Sequence, residues 1–338
     1  MFTVEVLNID AAAEAERIQG VILHQVRGEL RRKGIVVGLS GGVDSAVVAA
    51  LASRALGPER VLGLLMPERD SGEVGLRLAH ELSEVLGIES IVEEITATLE
   101  AAGCYRRQQE AIAPHFPEYG PGYKCKVTLP PILQGEVERI SIPLLTIEAP
   151  AGDVKTTRMT ADNYRRLVAA TNFKQRIRKV MEYYHADRLA YAVAGTPNRL
   201  EYDQGFFVKQ GDGAADLKPI AHLYKTQVFA LAAYLGVPQE ICERVPSTDT
   251  YSMSQTQEEF FFALPHARID LCMYALDHGV PPHEVAGALG LTVKQIEHVN
   301  ADIVAKRRTT RYQHAPPLLV ESLQEVDRPC VESPASSP

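Results

Sequence analysis

Apolar and charged residues alternate at helical spacing over residues 10–33, and Ile18, Val21, Ile22, Val26 and Leu30 fall on one face of the helix this predicts. Gly34 reads as the stop of that helix. IVVGLS follows as a short, continuously apolar strand, the pattern of a parallel sheet covered on both faces. AVVAALASRAL then reads as a helix, VLGLLMP as a second buried strand, residues 73–87 as a helix and SIVEEI (90–95) as a third strand. This βαβαβ order predicts an α/β fold with a doubly wound parallel sheet and a ligand at the C-terminal ends of its strands.

Residues 100–158 break the rhythm. HFPEYGPGYKCKVTLPP is dense in Pro, Gly and Tyr, and VERISIPLLTIEAP has the look of strand, so the stretch reads as an irregular insertion carrying a hairpin. Helix returns over 161–185 and strand over LAYAVAGT (189–196). A Gly- and Asp-rich loop fills 197–224, and helices run from 225–236 to about 308. The whole reads as one domain over 1–324 with a helical C-terminal part, followed by a polar, Pro/Ser-rich tail at 325–338 expected to be disordered.

Composition narrows the function classes. With 35 Lys and Arg against 43 Asp and Glu, the net charge of −8 makes the chain a poor general binder of nucleic acid. No apolar run approaches the ~20 residues that cross a bilayer, and the N-terminus carries acids early instead of an apolar signal core. Cys104, Cys125, Cys242, Cys272 and Cys330 form no CxxC pair and no Cys/His metal spacing, which suits free thiols in a reducing, cytoplasmic setting.

The chemistry concentrates in Ser40-Gly41-Gly42-Val43-Asp44-Ser45, between a buried strand and a helix. The glycine pair lets backbone approach a phosphate without Cβ clashes. Successive N–H groups and the positive end of the helix dipole then face the anion. Ser40 and Ser45 add hydroxyls, and Asp44 is placed to hold Mg2+, which prefers oxygen ligands. A bare Gly-Gly turn after a strand is most often only a turn. The full motif in this context favours a phosphate site, and the Walker pattern GxxxxGK[ST] is absent.

SGGxDS resembles the phosphate loop of the N-type ATP pyrophosphatases, the PP-loop superfamily. Within it, AGTPNRLEYDQGFFVKQGDGAADLKPIAHLYKTQVFALAAYLGVPQEI and the preceding TNFKQRIRKVMEYY are similar to the ammonia-dependent NAD synthetase family. The resemblance covers about 34–98 and 160–320. It implies an adenine nucleotide alpha hydrolase-like fold, with ATP as co-substrate held by Gly38, Leu39, Ser40, Gly41, Gly42, Val43, Asp44 and Ser45. It further implies that Thr196 touches ATP, that Glu201 binds Mg2+ beside Asp44, that Lys225 reaches the phosphates, and that Ser247 lies near the nucleotide. Asp44, Glu201 and Lys225 become the catalytic set. Arg176, Lys209 and Asp216 are implied to contact a dinucleotide carboxylate, deamido-NAD. The implied reaction is amidation through an acyl-adenylate, with release of AMP and pyrophosphate. The chain has no room for a glutaminase domain, so free ammonia is the expected nitrogen source, and a homodimer whose site spans both chains is the implied assembly.

Three features depart from the family pattern. The 100–158 connection is long. Where a His-Lys pair precedes Pro-Pro in the family, Tyr312 and Gln313 precede Pro316-Pro317 here, with Arg311 and His314 as the nearby substitutes. STDTYSMSQTQEEFFFALPHARIDLCMY only loosely resembles the family's acidic loop. These departures motivate one rival, a related ligase that amidates another acid. A tRNA-thiolating enzyme is remoter, since a catalytic Cys pair is missing, and a pure nucleotide-binding module would not need a second magnesium carboxylate. PPHEVAGALGLTVKQIEHVNADIVAKRR has a helix-turn-helix pattern, yet family members that bind no DNA share such a helical tail. Phe260-Phe261-Phe262 reads as core or dimer packing rather than a base-stacking platform.

Overall fold

The structure is a computed structural model and describes residues 2–128, 143–246, 250–262 and 264–321. The tail expected at 325–338 lies outside these residues, as does Ser247. Four parallel strands, β1 (Ile35–Gly38), β2 (Val61–Leu65), β3 (Glu89–Val92) and β7 (Ala192–Ala194), form a sheet in the order β3-β2-β1-β7. Successive side chains of β1 face opposite sides of the sheet. Ile35 and Val37 join a core with α1 (Ala11–His24), α2 (Val43–Leu56), α3 (Glu73–Leu86) and α8 (Lys225–Leu235). Val36 joins another with Leu62, Leu64 and the end of α6 (Ala161–Leu189). Cover on both faces is why these strands read as unbroken apolar runs.

The first helix is shorter than its pattern suggested. α1 ends at His24 and a single π turn carries the chain over Gln25–Glu29. Ala15, Ile18, Ile22 and Val26, spaced by three or four, are buried, whereas Val21 is 43% exposed, one residue off that stripe. Gly34 is not the helix stop. It is needed because a Cβ there would stand 2.3 Å from the Arg60 carbonyl oxygen. The expected strand at 189–196 is cut to three residues, because α6 runs on to Leu189 and closes on Ala190 in the left-handed region.

The 100–158 stretch is more ordered than expected. It contains α5 (Cys104–Ile112), preceded by α4 (Thr96–Ala101), and an antiparallel sheet β4-β5-β6 (Lys124–Thr128, Leu144–Glu148, Val154–Arg158). The β5–β6 pair is the predicted hairpin, and β4 adds a third strand. Cys125, Val127, Leu145 and Ile147 on this sheet pack with Leu167 of α6 and with Tyr251. The C-terminal helices α10 (His266–Asp277), α11 (Pro282–Leu289) and α12 (Val293–His314) share a separate core that includes Phe262. Phe261 packs against this core and Phe260 against that of the small sheet, and both also line the cavity described below. Among the described residues no helix is long and apolar enough to cross a membrane.

Candidate active site

The strand-to-helix junction forms the loop the motif predicted. Gly42 caps α2, and Gly41 has φ +72°, a left-handed conformation that favours glycine. Gly41 also packs back to back with Gly75, since a Cβ on Gly41 would lie 2.4 Å from the Gly75 carbonyl oxygen. Ser45 Oγ donates to the Gly42 carbonyl at 3.0 Å, and Ser40 Oγ accepts from the Gly42 N–H at 3.3 Å, so both serines brace the turn. Arg244 donates to the Gly41 carbonyl at 3.3 Å.

A cavity of about 470 Å³ opens at the C-terminal ends of β1, β2 and β7, a size suited to a small-molecule ligand. Gly38, Leu39, Ser40, Gly42, Val43, Asp44 and Ser45 line it, together with Thr196, Glu201 and Lys225. The sequence reading therefore drew together residues from three distant segments that share one pocket. Gly41 shapes the loop from behind and does not line the cavity.

Asn198 organises the charged group. It caps α7 (Arg199–Gln204) with a reciprocal capping box: its side chain accepts from the Glu201 N–H at 3.1 Å, and Glu201 Oε2 accepts from the Asn198 N–H at 3.2 Å. The Asn198 amide also donates to Asp44 Oδ1 at 3.0 Å. Asp44 Oδ2 bonds the Lys225 ammonium, and Glu201 Oε1 accepts from Gln257 Nε2 at 2.9 Å. Burial and the neighbouring Asp44 carboxylate push the Glu201 carboxyl well above the usual carboxylate range, against the attraction of Lys225. Burial disfavours the charge on Lys225, but Asp44 and Glu201 more than offset it and raise its pKa. Two carboxyl groups thus flank one buried ammonium beside the glycine loop. This is a polar site poised to take further positive charge, although among the described residues no three His, Cys, Asp or Glu are grouped as a metal site.

Arg176, Lys209 and Asp216 are not among the residues lining this cavity, and only the first two are in contact. Arg176 Nε donates to the Lys209 carbonyl at 3.3 Å on an exposed surface. Lys209 Nζ donates to the carbonyls of Tyr312 and Ala315, both at 2.9 Å, and sits 4.2 Å over the Tyr312 ring. Asp216 Oδ2 accepts from the Val193 N–H at 2.8 Å, which ties it to β7. Gln313 lines the cavity, with its amide nitrogen donating to the Phe207 and Gly205 carbonyls at 2.7 and 2.8 Å. Tyr312 points outward and His314 meets the rings of Tyr202 and Phe207 edge-on.

Several contributors were missed in the sequence. Asn198 had a readable signal, an Asn three residues before Glu at a helix start. Arg178, two residues after Arg176, faces the cavity and donates to the Met66 carbonyl at 3.3 Å. Lys174, 1% exposed, bonds Glu68 at 2.9 Å, Asp70 at 2.8 Å and the Thr250 carbonyl at 3.1 Å. Tyr105 donates to the other Glu68 oxygen at 2.7 Å. Asp270 is fully buried and accepts from the Thr226 N–H at 2.9 Å, which holds the start of α8 and therefore Lys225. Nothing in local sequence marks Lys174 or Asp270, because their partners are remote in the chain.

Comparison with known proteins gives a consistent picture. The family described as NAD synthase matches residues 14–114 and 137–316. The NH(3)-dependent NAD(+) synthetase of Mesorhizobium japonicum is 57% identical over 319 residues, covering 94% of this chain and 99% of that protein. The Thermotoga maritima protein of the same description is 36% identical over 249 residues, 74% of this chain and 82% of its own. Among solved structures, NMN synthetase from Francisella tularensis aligns with TM-score 0.63 at 23% identity, covering 92% of this chain and 99% of that one. The Campylobacter jejuni NH3-dependent NAD synthetase in complex with nitrate aligns with TM-score 0.59 at 24% identity, covering 93% and 100%. These two alignments speak for the fold.

Proposed function

Because the chain belongs to the NAD synthase family, we propose that it is an ammonia-dependent ligase that converts deamido-NAD to NAD at the cost of ATP. The observation that carries this reading is the convergence of Asp44, Glu201 and Lys225 on the SGGVDS loop in one cavity. A carboxylate resists ammonia because it is anionic and its leaving group is poor. Attack of its oxygen on the α-phosphorus of ATP forms an acyl-adenylate and expels pyrophosphate. Ammonia then adds to the acyl carbon, and AMP leaves as the carbon–nitrogen bond is completed.

The chain's part is positioning and charge. The loop N–H groups and the start of α2 suit the phosphates of ATP, and Thr196 lines the same cavity. Lys225, held at the first turn of α8, supplies a point charge to phosphate oxygens and to departing pyrophosphate. Asp44 and Glu201 are hard oxygen donors, coupled through Asn198 and served by a single ammonium, which fits Mg2+. When bound, that ion would neutralise phosphate charge during adenylation. Ser247, which lies outside the described residues, is assigned to the nucleotide by the family pattern alone.

Arg176, Lys209 and Asp216 are assigned to the dinucleotide. Their position on the surface beside the cavity suits a site completed by a second chain, and Val180 (58% exposed) and Tyr184 (60%) on α6 offer apolar surface for a symmetric dimer. Gln313, neutral and on the cavity wall, favours one second reading, a related acid with less negative charge than deamido-NAD. The test is incubation with ATP, Mg2+, ammonium and either deamido-NAD or a panel of other carboxylates. NAD, AMP and pyrophosphate in equal amounts support the proposal. ADP and phosphate overturn the reaction class. Pyrophosphate release with another acid and no NAD establishes the second reading.

A further inference from the structure

The stretch between the two blocks that match the family, residues 115–136, contains β4. β4 is an edge strand, bonded to β5 on one side only. Its other edge is occupied by residues 252–255. Ser252 Oγ accepts from the Cys125 N–H at 2.9 Å, the Met253 N–H donates to the Cys125 carbonyl at 3.0 Å, and the buried Gln255 amide donates to the Val127 carbonyl. Side chains reinforce the attachment. Tyr251 is 3% exposed in the core beneath β4 and β5 and meets Phe260 edge-on at 5.7 Å. Lys126 of β4 pairs with Glu259 at 3.3 Å.

The segment is held at both ends as well. At its start, the Thr250 carbonyl accepts from the buried Lys174, the same ammonium that binds Glu68 and Asp70. At its end, the Gln257 N–H donates to the Pro246 carbonyl at 3.1 Å, while the Gln257 side chain donates to Glu201 Oε1 at 2.9 Å. Glu201 Oε2 is already engaged by the Asn198 N–H, so Gln257 is the contact that fixes the remaining oxygen and with it the rotation of the carboxylate. We propose that residues 250–257 are a strap clamped on the edge of β4, and that Gln257 at its end is a positioning residue that orients Glu201 for the ligase reaction. The insertion thereby acquires a task, as the fixed wall on which the strap is mounted. An edge strand normally needs protection from foreign pairing, and here that edge is used to hold a catalytic carboxylate's partner in place.

This inference rests on the assignment of Glu201 to the catalytic set, and the experiments separate the two. Gln257→Met keeps the bulk of the side chain and removes the donor. Gln257→Met and Gln257→Ala are both expected to lower kcat about 10-fold or more and to raise the Mg2+ concentration for half-maximal rate, with KM for ATP and the melting temperature little changed. The double variant Ser252→Ala with Gln255→Met loosens the clamp. It should speed amide hydrogen exchange across 250–257 in the enzyme without nucleotide and reproduce the kinetic defect, while exchange in β5 and α6 stays as in the wild type. Wild-type kinetics in Gln257→Met overturn the positioning role, since packing alone would then suffice. Unchanged exchange in the double variant overturns the clamp. Near wild-type activity in Glu201→Gln overturns the underlying assignment of Glu201, and the strap proposal falls with it.

Discussion

The Lys225 ammonium bonds Asp44 Oδ2, joining the first turn of α8 to the first turn of α2 across 181 residues of chain. Lys225 is 2% exposed, so its charge is stable only while the acids beside it are ionised or paired. Asp44→Asn and Glu201→Gln should each reduce turnover by at least ~100-fold with the circular dichroism spectrum retained, since each removes charge that stabilises the transition state. Steady-state assays of NAD formation check this, and a Glu201→Gln enzyme of near wild-type rate would remove Glu201 from the set.

Gly41→Ala should be damaging for two independent reasons. The residue sits at φ +72°, and a Cβ would press within 2.4 Å of the Gly75 carbonyl oxygen. The expected loss is roughly 1–3 kcal/mol of stability, together with ATP affinity, because the loop cannot move without shifting the N–H groups that the proposed function assigns to the phosphates. Urea denaturation and ATP titration measure the two effects. Wild-type behaviour in both would mean that the loop relaxes freely.

Asp270 gives stability a pH signature. Burial pushes its carboxyl up from 3.8 to about 6, against hydrogen bonds from the Thr226 and Lys225 N–H groups and the charge of Lys225. Asp270 Oδ1 has no hydrogen-bond partner, which adds to the cost of ionisation. Between the unfolded and folded values the native state holds more protons than the unfolded chain, so this group makes stability fall as pH rises from about 4 to about 6. Asp270→Asn lacks the titration. Its unfolding free energy from urea denaturation, measured against wild type at several pH values, should improve across that window by about 3 kcal/mol in total. A difference that stays constant with pH would place the Asp270 pKa at its ordinary value.

Lys209 separates a binding role from a structural one. Lys209→Ala is expected to raise KM for deamido-NAD about 10-fold or more, the usual cost of losing a charged contact to a phosphate-bearing ligand, while KM for ATP holds. Its bonds to the carbonyls of Tyr312 and Ala315 at the end of α12 predict a modest loss of thermal stability in the same variant. If only the stability changes, Lys209 serves the helix terminus and not the substrate.

Light scattering at micromolar concentration should give twice the 37.1 kDa of one chain. Val180→Glu with Tyr184→Glu on α6 would then yield monomers of reduced activity. A wild-type monomer would count against both the dimer and a site shared between chains.

The parts of this protein legible in its sequence are those governed by contiguous residues. The apolar runs of β1 and β2 declared a sheet covered on both faces, and SGGVDS declared a tight strand-to-helix turn, because turn geometry and helix start are both set within six neighbouring residues. The capping box of Asn198 and Glu201 was equally local, although its meaning for the site was not. Where local pattern left a choice, packing decided it: Val21 stands one residue off the buried stripe of its helix and faces outward, and the insertion became a three-stranded sheet because Tyr251 and Leu167 offered it an apolar floor. Only the tertiary structure brought Lys174 to Glu68, Asp270 to Thr226 and Gln257 to Glu201, pairs separated by 106, 44 and 56 residues. A charged or amide side chain looks the same in sequence whether solvated or buried. Its role is decided by the partner that packing brings within hydrogen-bond reach, and by the low dielectric around them, which makes that partner obligatory.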